Sequence, residues 1–299
     1  MFPRNLSLFR FGSMPSDDVS AALANHRVRD PGPLEMATSG FVSPYGLADD
    51  RLTVTSSGYV GFVFARNERL LLPSAVNDAL VKKVQKIAAE EGRRPGMRER
   101  KRIKEDLVTE MLPHAPVRSR RVAGWLDARA GWLIVDTPSR KVAEQALSQL
   151  REAFGSFPAV PLAPEELPRV LLTGWLAKGE LPAKLSFGDQ CELRDPASNG
   201  SVVRCRRQDL ETEEVREHLR NGKQAFSLGL AYDDRLSFVL TESLSITGLR
   251  ALDVVIDSRD IAESDSVQVE SDFALAALEV NALLAFLENA FDIRRPQEA

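Results

Sequence analysis

The chain repeatedly sets two short β-prone runs on either side of a tight turn, and that pattern excludes most architectures. Ala225 to Tyr232 and Leu236 to Leu240 flank Asp233-Asp234-Arg235. Val122 to Asp127 and Trp132 to Val135 flank Ala128-Arg129-Ala130-Gly131, with Gly131 available for a left-handed turn position. Cys191 to Arg194 and Val202 to Arg207 flank Asp195-Pro196-Ala197-Ser198-Asn199-Gly200. Strands that pair with their sequence neighbours make antiparallel sheet, whereas parallel strands need a crossover between them. The fold class is therefore read as α+β with antiparallel sheets. Leu6–Phe11 and Tyr59–Ala65 read as further strands, and residues 30–50, rich in Pro, Gly, Ser and Asp, as irregular.

Helices are expected around these hairpins. One opens at Pro15-Ser16-Asp17-Asp18 and runs to about His26. Others span Ser139–Phe154 and Pro164–Lys178, each closed by a glycine, and Thr212–Asn221, closed at Gly222. Phe273–Phe291 reads as a long helix, apolar nearly all round and interrupted by Glu279, Asn281, Glu288 and Asn289. From Ser74 to Leu112 apolar residues recur at helical spacing on both sides of Gly92-Arg93-Arg94-Pro95-Gly96. That breaker predicts two antiparallel helices joined by a turn.

This hairpin is where the charge concentrates. The formal net charge of the 299 residues is −4, but residues 82–104 hold ten Lys/Arg and three acids, a net of +7. Residues 257–292 hold nine acids and Arg259 alone of the basic residues, a net of −8. A positive helical hairpin followed by the Arg-rich segment 118–121 predicts sequence-independent phosphate contact through counterion release. No RNP-type aromatic motif, zinc-finger spacing or helix-turn-helix accompanies it, so base readout is not expected.

Other chemistries are poorly supported. Cys191 and Cys205 are too few for a disulfide framework or a four-ligand zinc site. His26, His114 and His218 are widely spaced. Asn221-Gly222-Lys223 lacks the upstream glycine and the following Ser/Thr of a phosphate loop. Asp189, Glu192 and Arg194 only loosely suggest a nuclease carboxylate pair and come without a catalytic lysine. No cofactor, metal or membrane span is expected. A metal-dependent nuclease and a protein–protein adaptor using the acidic C-terminal half stand as the rival readings.

Several strings, taken in order, resemble one family. They are FPRNLSLFRF at 2–11, GFVSPYG at 40–46, LLPSAVNDAL at 71–80, MLPHAPVRS at 111–119 and LREAFGSFPAVPL at 150–162. CELRDPASNGSVVRCRRQDLETEEVREHL at 191–219 is the most specific, followed by RLSFVLTESLSITGLRALDVV at 235–255 and SDFALAALEVNALL at 271–284. The chain resembles the bacterial recombination-associated RdgC family over nearly its full length. The resemblance implies a horseshoe-shaped subunit that dimerises into a ring around duplex DNA, with single-stranded DNA a second ligand. It implies antagonism of the RecA recombinase, a cytoplasmic, nucleoid-associated location and no enzymatic activity. It implies three parts: a central region at 1–74 and 122–163, a basic finger at 75–121 and a base at 164–299. The expected DNA contacts are Lys82, Lys83, Lys86, Arg93, Arg94, Arg98, Lys101, Arg118, Arg120 and Arg121 of the finger, with Arg206 and Arg207 of the basic-basic-Gln-Asp motif. Pro116 and Ser119 stand where the family's finger commonly has an aromatic pair, so Val117, Ser119 and Gln208 are the expected dimer contacts.

Overall fold

A computed structural model describes residues 2–14, 18–46, 48–164, 166–197, 201–259 and 264–296. In chain order the elements are β1 (Ser7–Arg10), α1 (Val19–Ala24), β2 (Ala37–Val42), β3 (Thr53–Ser56), β4 (Tyr59–Arg69), α2 (Pro73–Glu91), α3 (Met97–Met111), β5 (Val117–Asp127), β6 (Trp132–Val135), α4 (Arg140–Phe154) and β7 (Val160–Pro161). There follow α5 (Pro168–Lys178), β8 (Leu185–Arg194), β9 (Val202–Arg206), α6 (Glu213–Arg220), β10 (Gln224–Tyr232), β11 (Leu236–Thr241), β12 (Ile246–Ala251), α7 (Asp253–Asp257) and α8 (Asp265–Ala290). The paired strands run antiparallel, as the hairpin pattern requires. The chain divides into two compact units, residues 1–25, 43–63 and 122–299, and residues 26–42 and 64–121.

The first unit contains the hairpins read from sequence. The second half of β5 pairs with β6, from Gly124↔Val135 to Asp127↔Trp132. β6 pairs with β1, and β1 with β7. β3 and β4 form a further hairpin across Ser57-Gly58, both at positive φ, the conformation a two-residue hairpin turn demands. Among the described residues a second sheet has the order β12-β11-β10-β8-β9. Its inner face buries Leu193, Leu228, Leu230 and Leu240 against Leu172 and Leu176 of α5 and Val280, Leu283 and Leu287 of α8. Cys191 and Cys205 stand directly opposite each other on β8 and β9, both buried and both free. Burial, reinforced by the neighbouring thiol, pushes Cys191 up to about 12.

Helix α8 is 26 residues long and apolar enough by length and composition to cross a membrane. In the fold Ala276, Ala277, Val280, Leu283, Leu284 and Leu287 are buried in the core, while Val267 and Leu278 are about half exposed. Its buried Glu279 accepts from Arg235 Nε at 2.9 Å, so the charge that interrupts the apolar run is paired.

The helix starts at Asp265 rather than Phe273, because the polar first turns carry structural contacts of their own. Arg259 grips Asp272 with two bonds of 2.7 Å. Burial pushes the Asp272 carboxyl up, but Arg259 and the Gln268 amide outweigh it and hold the group at about 2, below its ordinary 3.8. The stability that this carboxylate confers is present above pH 4 and is lost as the pH falls toward 2. Melting curves of Asp272→Asn should accordingly be flatter than wild type across that window, and parallel curves would exclude this role for Asp272.

Other boundaries differ from the sequence reading. α1 begins at Val19, where the Asp18 carboxylate accepts from Ala21 N at 2.9 Å. Residues 15–17 of the expected start lie outside the described residues, as do 198–200 of the β8–β9 turn. α5 starts at Pro168, not Pro164, with the proline at the first helical turn, where its missing N–H costs nothing.

The second unit corrects two expectations. Residues 30–50 are not all irregular, since 37–42 form β2. The Ser/Thr/Gly content that looked like loop has a steric cause at Gly40. A Cβ there would lie 2.5 Å from the His26 carbonyl oxygen, so only glycine admits the close backbone pass. The strand read as starting at Val122 begins at Val117, so the Arg-rich segment 118–121 is part of β5.

Candidate nucleic-acid interface

The helical hairpin lies wholly in the second unit. α2 ends at Gly92, left-handed at φ +67°, whose N–H donates to Ala88 O at 3.2 Å. α3 starts after Gly96. Only Val76 of α2 and Leu107 of α3 are buried, and both lie at the end of the hairpin away from the turn. Leu80, Val84, Ile87 and Ile103 are half-buried, Pro95 in the turn is buried, and Met97 beside it is 91% exposed. This apolar contact is small for two helices of this length, and polar contacts add to it at the turn. Arg93 supplies them, binding Glu99 through two bonds of 2.7 and 2.8 Å and Glu91 at 2.8 Å. Those carboxylates raise the Arg93 guanidinium, and Arg93 in turn lowers Glu99. Farther along, Lys104 donates to Asn77 at 2.9 Å and ties α3 to α2.

The structure sorts the sequence candidates into two groups. Lys82, Lys83, Arg94, Arg98 and Arg121 are exposed and have no ion-pair partner among the described residues. Arg102, which the sequence reading counted but did not select, joins them. Lys86 pairs with Glu90 at 3.8 Å and Lys101 with Glu105 at 3.9 Å, weak exposed pairs one helical turn apart. Arg93 is the turn clamp. Arg118 bonds Glu68, and Arg120 lies 3.7 Å from the same carboxylate. The Arg118 hydrogen bond is the main cause holding Glu68 below its ordinary range. Val117 and Ser119 are exposed on the same stretch of β5.

One structural arginine escaped the sequence reading. Arg69 donates to the carbonyls of Gly32, Pro31, Leu112, Pro113 and Ala115 at 3.0–3.3 Å, stitching the exit of α3 to an earlier loop. An arginine in a run of mixed polarity carries no sequence signal for such a role.

Arg206, Arg207 and Gln208 belong to the first unit. Arg206 ends β9 opposite Gln190, Arg207 follows at φ +53°, and Gln208 N donates to Asp189 O at 3.2 Å. On the same face Glu192 is shared by Arg204 and Arg194, each through Nε at 2.6 Å. The Arg204 bond, then Arg194, keep Glu192 below its ordinary range against its partial burial. Glu192 is thus a salt-bridge anchor, and Asp189 and Glu192 do not form a free carboxylate pair. Among the described residues no three His, Cys, Asp or Glu side chains converge as metal ligands.

The acidic segment 257–292 is also less available than its charge suggests. Glu270 accepts from Tyr45 at 2.9 Å, Asp272 holds Arg259, Glu279 holds Arg235, Glu288 holds Arg10 and Asp292 lies 3.4 Å from Arg294. Five of its nine acids are thereby engaged within the chain.

A family model described as "Putative exonuclease, RdgC" matches residues 1–294. The recombination-associated protein RdgC of Xanthomonas campestris pv. campestris (strain B100) is 42% identical over 301 residues, covering 99% of this chain and all of the relative. That of Xylella fastidiosa (strain M12) is 41% identical over 292 residues, covering 96% of this chain and 97% of the relative. That of Xanthomonas axonopodis pv. citri (strain 306) is 40% identical over 301 residues, with 99% and 100% coverage.

Proposed function

The chain belongs to the RdgC family, and from that premise we propose that it is a DNA-binding protein of recombination that grips the phosphate backbone without reading sequence. The observation that carries this reading is the set of cations without an ion-pair partner among the described residues on the helical hairpin and the strand that follows it, Lys82, Lys83, Arg94, Arg98, Arg102 and Arg121. Exposed cations without acidic partners have no internal work to do, and neutralising phosphates releases counterions from DNA. Lys86, Lys101, Arg118, Arg120, Arg206 and Arg207 add to the same charge, and the weak pairs at Lys86 and Lys101 open at little cost.

The finer parts of the reading follow the family. The protein acts as a homodimeric ring of two horseshoe-shaped subunits that encircles duplex DNA, with single-stranded DNA a second ligand. It limits access of the RecA recombinase and works in the cytoplasm at the nucleoid. In this scheme 75–121 is the finger, 1–74 with 122–163 the centre and 164–299 the base. Val117, Ser119 and Gln208 contribute to the dimer contacts. Pro116 and Ser119 in place of the finger's aromatic pair make a lesser apolar contact there.

The nuclease reading is not favoured, because Glu192 is engaged by Arg194 and Arg204. The adaptor reading loses ground because so many acids of 257–292 are paired internally. The test is a titration of the full chain against duplexes of unrelated sequence from low to moderate salt, with its mass measured alone and on DNA. Affinity should fall steeply and equally for all sequences, and the free mass should be that of a dimer. Sequence-dependent affinity, or affinity flat in salt, overturns the reading, as does strand cleavage on addition of Mg²⁺ or Mn²⁺.

A further inference from the structure

The outer face of the five-stranded sheet carries a cleft of about 430 Å³. Its floor is glycine. Gly188 of β8 and Gly229 of β10 meet at a register shift between the two strands. A Cβ on Gly188 would lie 2.9 Å from the Gly229 carbonyl carbon, and one on Gly229 would lie 2.9 Å from the Gln190 carbonyl oxygen. Side chains are excluded at the point where a pleated sheet would otherwise be covered, so backbone is open to close approach.

The wall is polar and mostly cationic, built from Arg206, Arg207, Arg250, Gln190, Ser237 and Asp189. Gln190 stands opposite Arg206 and Ser237 opposite Arg250, so strand pairing sets a neutral donor next to each of two guanidiniums. Arg250 lies far along the chain from the Arg206-Arg207 motif, and only the sheet brings it to them.

The acids are placed unevenly. Arg194 and Arg204, on the same face, share Glu192. The side chains of Arg206, Arg207 and Arg250 have no ion-pair or hydrogen-bond partner among the described residues. Asp189 is the one acid in the wall, which leaves three cations against one anion. Convergent like charge opposes folding, and an anion in the cleft would relieve it. Arg207 also sits in the left-handed region, a conformation that non-glycine residues rarely adopt and that gathers at ligand sites.

We propose that this cleft seats a phosphate group, gripped by Arg206, Arg207 and Arg250, with Gln190 and Ser237 as neutral donors. Guanidinium forks match phosphate geometry, and the volume leaves room for the atoms esterified to it. The backbone phosphodiester of bound DNA is its source, which rests on the DNA-binding reading; the seat as such does not.

The test uses full-length Arg250→Gln and Arg206→Gln/Arg250→Gln. All three cations of the cleft are exposed and have no partner among the described residues, so the melting temperature should match wild type, and Arg250→Lys serves as a charge-retaining control. Two ligands are titrated, duplex DNA at several salt concentrations and inorganic pyrophosphate alone. We expect the double variant to lose about tenfold or more in duplex affinity and its salt slope to fall by about 0.9 for each phosphate contact removed. Arg250→Lys should fall between, since it keeps the charge without the fork. Loss of pyrophosphate binding with unchanged duplex affinity would support the seat but assign it to a free phosphate compound. Both ligands binding the double variant as tightly as wild type would overturn the proposal. Wild type failing to bind duplex at any salt sinks the DNA reading alone, and pyrophosphate then decides the seat.

Discussion

Replacing Lys82, Lys83, Arg94 and Arg98 together by Glu should lower duplex affinity by at least about a hundredfold at low salt and leave the fold intact. The four side chains are exposed and carry no ion pair among the described residues, so the substitutions break nothing inside the protein. Every phosphate that is no longer neutralised flattens the dependence of log affinity on log salt by about 0.9, so four phosphates account for a change of about 3.6. Reversal adds repulsion, which places the effect above simple neutralisation. A contrasting variant separates binding from architecture. Arg93→Glu faces Glu91 and Glu99 and should open the α2–α3 turn, seen as lower helicity or faster proteolysis near residue 92. Equal affinity of the quadruple variant and wild type would move the DNA interface away from this hairpin.

The largest effect on stability should come from Arg10→Ala. Arg10 is 2% exposed, on a strand flanked by β6 and β7. Its Nη2 lies 2.6 Å from Glu288 Oε1 and its Nη1 donates to Ala130 O at 2.7 Å. The guanidinium carbon sits 4.2 Å from the centroid of Trp132, its cross-strand partner. Desolvation lowers the Arg10 pKa, and Glu288 only partly opposes it, so the ion is held at some cost. A buried charge in this position is justified by what it joins: the first strand, the β5–β6 turn and the last helix. Truncation leaves the Glu288 carboxylate and the Ala130 carbonyl without their partner and opens space beside Trp132. The Glu288 side chain is 34% exposed and regains water, so the loss should fall at the lower end of the about 3–5 kcal/mol that removing one member of a fully buried pair costs. Urea denaturation should report a loss in that range, and a loss below about 1 kcal/mol would show that Arg10 is not a structural pin. Arg10→Lys keeps the charge but not the stacking plane or the second donor, and should fall between the two.

The contrast between these two groups of basic residues shows how far the sequence could be read. Hairpin strands such as β5–β6 and β10–β11 were legible because alternation and turn residues are local properties. The α2–α3 hairpin was legible for the same reason, its two apolar series being broken by Gly92, Pro95 and Gly96. Strand β2 was not, since Thr38, Ser39 and Gly40 look like loop until the close pass of His26 over Gly40 is known. The early start of α8 was hidden in polar turns whose purpose, the Arg259–Asp272 ion pair, is set between elements.

Charge was legible as amount but not as role. Ten Lys/Arg within 82–104 announce a positive surface, yet nothing in their order tells Arg93, a clamp, from Arg94, a free cation. Arg10 and Arg69 give no signal as structural residues, and Arg250 gives none as a companion of Arg206 and Arg207.

By itself the sequence determined the class, α+β with antiparallel hairpins, the basic helical hairpin and the family, because each rests on local periodicity or on order along the chain. The tertiary structure alone decided which cations are spent on internal partners and which remain for a ligand. The reason is physical: an ion pair depends on the few ångströms between two side chains, and in Arg10–Glu288 those side chains are 278 positions apart in the chain.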